Sequence, residues 1–139
     1  MKTSHGFVAA LLAFAALLPN AAQSAPFGNT GTYTNVVWNV SSTVPQFARC
    51  NELRVDATGD LNNSTSMSVY GALNCFAEYG AYPVNGNAFF SDNGTFSMNL
   101  ILSNNTVLQC FNLTGLNGTC KYIRTTDNFT LGTAVITFR

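Results

Sequence analysis

Histidine is almost missing from this chain. Its single copy, His5, sits in a stretch that reads as a leader: Lys2, the uncharged apolar run Phe7 to Leu18, then Ala22-Gln23-Ser24 ahead of Ala25. That layout predicts a secretory signal peptide over 1–24, cleaved before Ala25, and the apolar run is too short to cross a bilayer as a helix. The domain left, 25–139, then has no histidine at all. Ser-His-Asp and Cys-His catalysis are excluded, as is histidine-ligated zinc, copper or iron. Charge is also scarce: 25–139 holds five basic and six acidic residues. Without a basic excess, nucleic acid and anionic membrane surfaces are poor partners. No CxxC occurs, which removes zinc-ribbon and thioredoxin-type motifs. No window shows a helical period. No cofactor is expected.

What remains is polar and strand-like. Asn, Thr and Ser supply 39 of the 115 residues in 25–139, a composition suited to turns and solvated strand faces. Period-two alternation recurs along the chain. Val36, Trp38 and Val40 share one face, as do Leu53, Val55 and Ala57. Met67, Val69, Gly71, Leu73 and Cys75 form another series. In the next, Phe96, Met98, Leu100 and Leu102 point inward, with Ser97 and Asn99 outward. Val107–Leu113, Cys120–Arg124 and Ala134–Phe138 complete the set. Turn signals lie between, at Thr58-Gly59-Asp60, Asn62-Asn63, Asn85-Gly86, Asp92-Asn93-Gly94, Asn104-Asn105, Asn117-Gly118 and Thr126-Asp127-Asn128. The pattern predicts one all-β domain over 25–139, an antiparallel sandwich or small barrel of seven or eight short strands.

Cys50, Cys75, Cys110 and Cys120 are even in number and all follow the leader. In an oxidising compartment they read as two disulfides. Opposed residues in a hairpin have a constant index sum. Cys50 and Cys75 are symmetric about Asn62-Asn63, and Cys110 and Cys120 about Gly115, which favours 50–75 with 110–120. Cys75 and Cys110 are also symmetric about Asp92-Asn93, so 75–110 with 50–120 stays open.

Candidate chemistry is thin. Glu52, Arg54 and Asp56 share a strand face, where two carboxylates can act as an acid/base pair. Charges on an outward face need no such cause. Asp56, Asp60 and Asn62 have a faint calcium-loop look without the regular ligand pattern. Phe76, Tyr79, Tyr82, Asn85 and Asn87, with Phe89 and Phe90 close behind, combine aromatic faces and amides in the manner of a sugar platform. The competing account is a sheet core with tyrosine hydroxyls at its rim. Eight N-x-[ST] triplets, from Asn39 to Asn128, are read as turn and strand chemistry rather than glycan acceptors.

One stretch carries a family resemblance. Cys50-Asn51-Glu52-Leu53-Arg54-Val55-Asp56-Ala57-Thr58-Gly59, followed by Gly71-Ala72-Leu73-Asn74-Cys75, resembles the bacterial protein activator of alkane oxidation family. Over residues 50–75 the resemblance implies a secreted, cell-surface or biofilm-associated protein, and it carries over no catalytic residue.

These readings converge on a non-enzymatic domain, secreted or periplasmic, with no transmembrane segment once the leader is removed. The first expectation is a structural or adhesive surface protein. It would associate with itself through strand Thr133–Phe138, if that strand lies at an edge, or with a surface carbohydrate or protein. The alternative is a soluble binding or inhibitor barrel for a protein or carbohydrate. A carboxylate-only enzyme and an outer-membrane barrel rank lower. The second is disfavoured by the disulfides and by strands expected to fall short of the roughly 9–11 residues a membrane strand needs.

Overall fold

The computed structural model describes residues 29–60, 63–76, 80–102 and 105–139. The expected leader, 1–24, lies outside them. The strands are β1 (Gly31–Ser42), β2 (Cys50–Asp60), β3 (Asn63–Cys75), β4 (Ala81–Phe90), β5 (Phe96–Leu102), β6 (Thr106–Leu113), β7 (Gly118–Arg124) and β8 (Phe129–Phe138). Each pairs antiparallel with its neighbour in sequence, and β8 returns to β1, so the sheet closes into an eight-stranded up-and-down barrel. Of the two architectures the alternation allowed, the barrel is the one formed.

Inward positions are those the period-two pattern marks. Trp38, Leu53, Met67, Leu73, Leu100, Leu108 and Ile136 are wholly buried. Eight strands enclose a space just wide enough for side chains to fill, and aromatic side chains fill much of it. Trp38 stacks on Phe96 with ring centroids 6.1 Å apart and donates its Nε1–H to Leu116 O at 2.9 Å. The β1–β2 connection makes a short 3-10 helix, Pro45–Phe47. It tucks Phe47 inside, stacked 4.5 Å from Tyr122 and edge-on to Tyr82 at 5.0 Å. Burial pushes the Tyr122 phenol above its ordinary pKa, opposed by the 2.6 Å hydrogen bond it shares with Ser42 Oγ.

Both disulfides take the pairing favoured by hairpin symmetry, Cys50–Cys75 and Cys110–Cys120. Each joins directly opposed residues of adjacent strands. They fit an oxidising compartment.

Several local expectations are corrected. Asn85-Gly86 is not a turn but the middle of β4. Gly86 is there because β5 passes so close that a Cβ would lie 1.9 Å from Asn99 O. Thr58-Gly59-Asp60 belongs to β2. The β6–β7 turn falls at Gly115 and Leu116, both at positive φ, with Asn117-Gly118 just past it. Ser97 is buried at 4 % exposure, because a register shift between Phe96 and Met98 turns it in, and its Oγ accepts from Asn112 N. Strand β8 is not an edge: it pairs with β7 from Gly118↔Ile136 and with β1 from Trp38↔Phe138 to Ser42↔Ala134. The strands are also longer than expected, with β1 and β3 reaching 12 and 13 residues. Strand length therefore does not set these strands apart from membrane-spanning ones. The barrel's interior is apolar, and its outer face mixes Asn35, Asn39, Arg54 and Asn87 with exposed Ile101, Phe111, Phe129 and Val135.

The sequon asparagines Asn39, Asn93 and Asn117 accept hydrogen bonds through their side-chain oxygens. Asn39 Oδ1 accepts from Arg139 Nε, and Asn117 Oδ1 from Phe138 N. Asn93 Oδ1 accepts from Thr95 N in the β4–β5 turn, where Gly94 takes positive φ.

Candidate functional site

A groove of about 300 Å³ crosses the outside of β1, β2 and β3. Side-chain alternation on three paired strands builds it. Cross-strand pairing sets outward residues in tiers: Asp56, Tyr70 and Asn85 in one, Arg54, Ala72 and Pro83 in the next, Glu52, Asn74 and Ala81 in the third. The middle tier carries small Ala72 between Tyr70 and Asn74 along β3. The result is a trough with the backbone of Val55 and Gly71 near its floor. Pro83 fits beside it because the β4–β5 ladder starts only at Val84.

Asn35 makes the β1 wall. It takes a left-handed conformation, φ 53°, where the β1–β2 register slips between Tyr33 and Val36. Asparagine tolerates that region, and the bulge re-aims its backbone. Its N–H turns to Asp56 Oδ1 at 2.9 Å, and its side-chain oxygen accepts from Arg54 Nη1 at 3.4 Å. Arg54 is held on its other side by Glu52, Nη2 to Oε2 3.1 Å. Asn74 Nδ2 donates to Glu52 Oε1 at 2.8 Å, and Arg139 Nη1 reaches Oε2 at 2.9 Å. Glu52 is thus pulled down to about pKa 2, first by the bonds from Arg54 and Asn74 and then by the charges of Arg54 and Arg139, against a partial loss of hydration. It stays ionised and satisfied, the state of a structural carboxylate and not of a proton donor near neutrality.

Tyr70 stands out from this wall, 56 % exposed. The signal for it is in the alternation: in the series containing Val69 and Gly71, Tyr70 must point outward. Its place beside Asp56 depends on hairpin register, which the sequence leaves open.

The aromatic platform expected from the sequence is divided by β4. Tyr82 faces inward against Phe47. Asn85 and Asn87 face outward, and Phe76 is half exposed in the β3–β4 connection. Tyr79 lies outside the described residues. Asn85 is the cross-strand partner of exposed Tyr70, and Asn87 shares the outer face of β4 with exposed Phe89. The calcium-loop reading falls partly outside the described residues at Asn62, and among the described residues no three His, Cys, Asp or Glu side chains are grouped to hold a metal. A second, smaller depression of about 220 Å³ is lined by Gln109, Phe111, Thr119 and Lys121 on β6 and β7.

Fold and surface together define a disulfide-stapled, closed up-and-down barrel with a filled interior and a polar, tyrosine-bearing groove outside. Set against protein-family models, curated proteins and solved structures, the chain matches none.

Proposed function

We propose that the protein is a secreted, non-enzymatic binding domain of adhesive or surface-associated kind, which meets its partner on the outside of the barrel. One observation carries this reading: the interior is packed with side chains such as Trp38 and Phe47 at 0 % exposure, while a solvated groove with an exposed tyrosine lies on the outer wall. Binding inside a barrel requires a cavity there. A non-enzymatic role is supported by the lack of histidine in 25–139 and by the engagement of all four cysteines in disulfides. Export is supported by the leader pattern and the disulfides. Surface or biofilm association follows the resemblance over residues 50–75. Assembly through Thr133–Phe138 has less support, since both flanks of that strand are occupied.

The test mixes the disulfide-bonded protein with intact cells and extracellular matrix of its producer and measures the fraction that sediments. Retention of the wild type, with loss on Tyr70→Ala, upholds the reading. Absence of retention, or retention indifferent to Tyr70→Ala, overturns it.

A further inference from the structure

We infer that the groove over β1–β3 takes a short segment of a neutral, hydroxyl-rich saccharide chain, with one sugar face against Tyr70. The inference rests on the binding reading above and names the ligand class for that site.

Charge is the first argument. Around the trough, Arg54 and Arg139 face Glu52 and Asp56, two cations against two anions, and Glu52 holds both arginines directly. An anionic ligand would come up against Glu52 and Asp56, and a cationic one against Arg54 and Arg139. A neutral ligand disturbs neither.

Hydrogen-bonding capacity is the second. Three of the five N–H groups of Arg54 are spent on Glu52 and Asn35. Among the described residues the other two have no protein acceptor. Asp56 spends Oδ1 on Asn35 N and keeps Oδ2. Asn74 spends one of its two amide N–H donors on Glu52 and keeps the other, with its oxygen as an acceptor. Asn35 keeps its Nδ2 donor. The wall therefore presents donors and acceptors interleaved within one groove, the match for sugar hydroxyls, each of which both gives and takes a hydrogen bond. A purely apolar or purely acidic ligand leaves half of this set unpaired, which is costly once water is displaced.

Shape is the third. Tyr70 offers an aromatic face at the end of the trough, with Asn85 beside it, and an aromatic ring supplies large contact area at little entropic cost. At about 300 Å³ the trough sits at the lower end of small-ligand sites. It lies open on a strand surface, so a longer chain can pass through with only a short segment held.

Affinity electrophoresis supplies the test, with the disulfide-bonded protein run in native gels containing a β-glucan, a galactomannan or a xylan, and alginate as the anionic comparison. The expected result is retardation by at least one neutral polymer. Tyr70→Ala should weaken it about tenfold or more, the loss of a stacking anchor, and Ala72→Trp, which fills the trough, should do likewise. Phe111→Ala, in the other depression, should leave retardation unchanged. Thermal melts confirm that the outward substitutions leave the barrel folded. No retardation by any neutral polymer, or retardation that survives both Tyr70→Ala and Ala72→Trp, overturns the inference. If cells still retain the protein in a Tyr70-dependent way while only alginate or protein competes, the saccharide assignment falls and the binding reading stands. If cells do not retain it, both fall.

Discussion

Arg139, directly after β8, places Nη1 2.9 Å from Oε2 of Glu52, 87 positions earlier. The contact spans β1, because Arg139 also donates Nε to Asn39 Oδ1 and its backbone N–H to Val37 O. The end of β8 is thereby tied to β2 through the strand between them.

Acid should loosen this tie in a defined window. The Glu52 pKa is lowered from its ordinary 4.5 to about 2 in the folded protein. A carboxylate with a depressed folded pKa stabilises the native state above its unfolded pKa and loses that contribution as pH falls through the folded value. Part of the stability should therefore disappear between about pH 4.5 and about pH 2. Glu52→Gln should lower stability at neutral pH by on the order of 1 kcal/mol, the upper range for a solvated ion pair, and flatten the decline. Urea melts from pH 7 to 2.5 read both effects; parallel curves for variant and wild type would refute the assignment.

The two disulfides should contribute unequally. Cys50–Cys75 closes a span of 25 residues and Cys110–Cys120 one of 10. A native bridge in a small secreted domain contributes about 2–5 kcal/mol, and the chain-entropy account gives the longer loop roughly 0.8 kcal/mol more. Paired serine replacements, Cys50→Ser with Cys75→Ser against Cys110→Ser with Cys120→Ser, compared by chemical denaturation, check the order. Thiol titration of the unreduced, unfolded wild type should find no reactive cysteine.

Trp38 is the only tryptophan and is fully buried. Its fluorescence should be blue-shifted and shielded from iodide in the native state, then move red in one transition on unfolding. Trp38→Phe should cost about 1–3 kcal/mol, because it strands the buried Leu116 carbonyl that accepts from Nε1. Equilibrium denaturation of the variant measures this. A change within error would show that the carbonyl finds another partner.

Val135 lies on β8 opposite both Ser41 and Thr119. Proline there cannot complete the paired ladder on both sides. Val135→Pro should unfold the domain rather than yield a folded monomer, and in the wild type the amides of Ala134 to Ile136 should be among the last to exchange. Circular dichroism of the variant and hydrogen exchange of the wild type test the two halves. A folded proline variant would show that β1–β8 closure is dispensable.

Strand faces were legible because a pleated backbone forces alternate side chains apart whatever follows. Val36, Trp38 and Val40 are buried for that reason, as are Leu53, Val55 and Ala57. Ser97 escaped the rule because a bulge resets the alternation, and bulges leave little local trace. Asn85-Gly86 misled because glycine marks both turns and close strand approach. Closure of the sheet, the tier joining Tyr70 to Asp56, and the reach of Arg139 to Glu52 all depend on pairings between segments. Of the candidate site, the Glu52-Arg54-Asp56 face and the outward side of Tyr70 were visible, whereas the register that sets Tyr70 beside Asp56 and the bulge at Asn35 were not.

Seven of the eight ladders join strands adjacent in sequence, while the β1–β8 ladder joins residues about 100 positions apart. Local hairpins close with little loop entropy, and distant pairings wait on them. A chain emerging from its N-terminal end can thus assemble β1 through β7 as an open sheet, but it cannot become a ring until Phe129–Phe138 has arrived. Throughout that interval β1 and β7 both present bare backbone edges, the state most exposed to joining another chain. Docking of β8 is what ends this exposure, so the domain's vulnerability is set by the delay before that strand pairs with both β7 and β1.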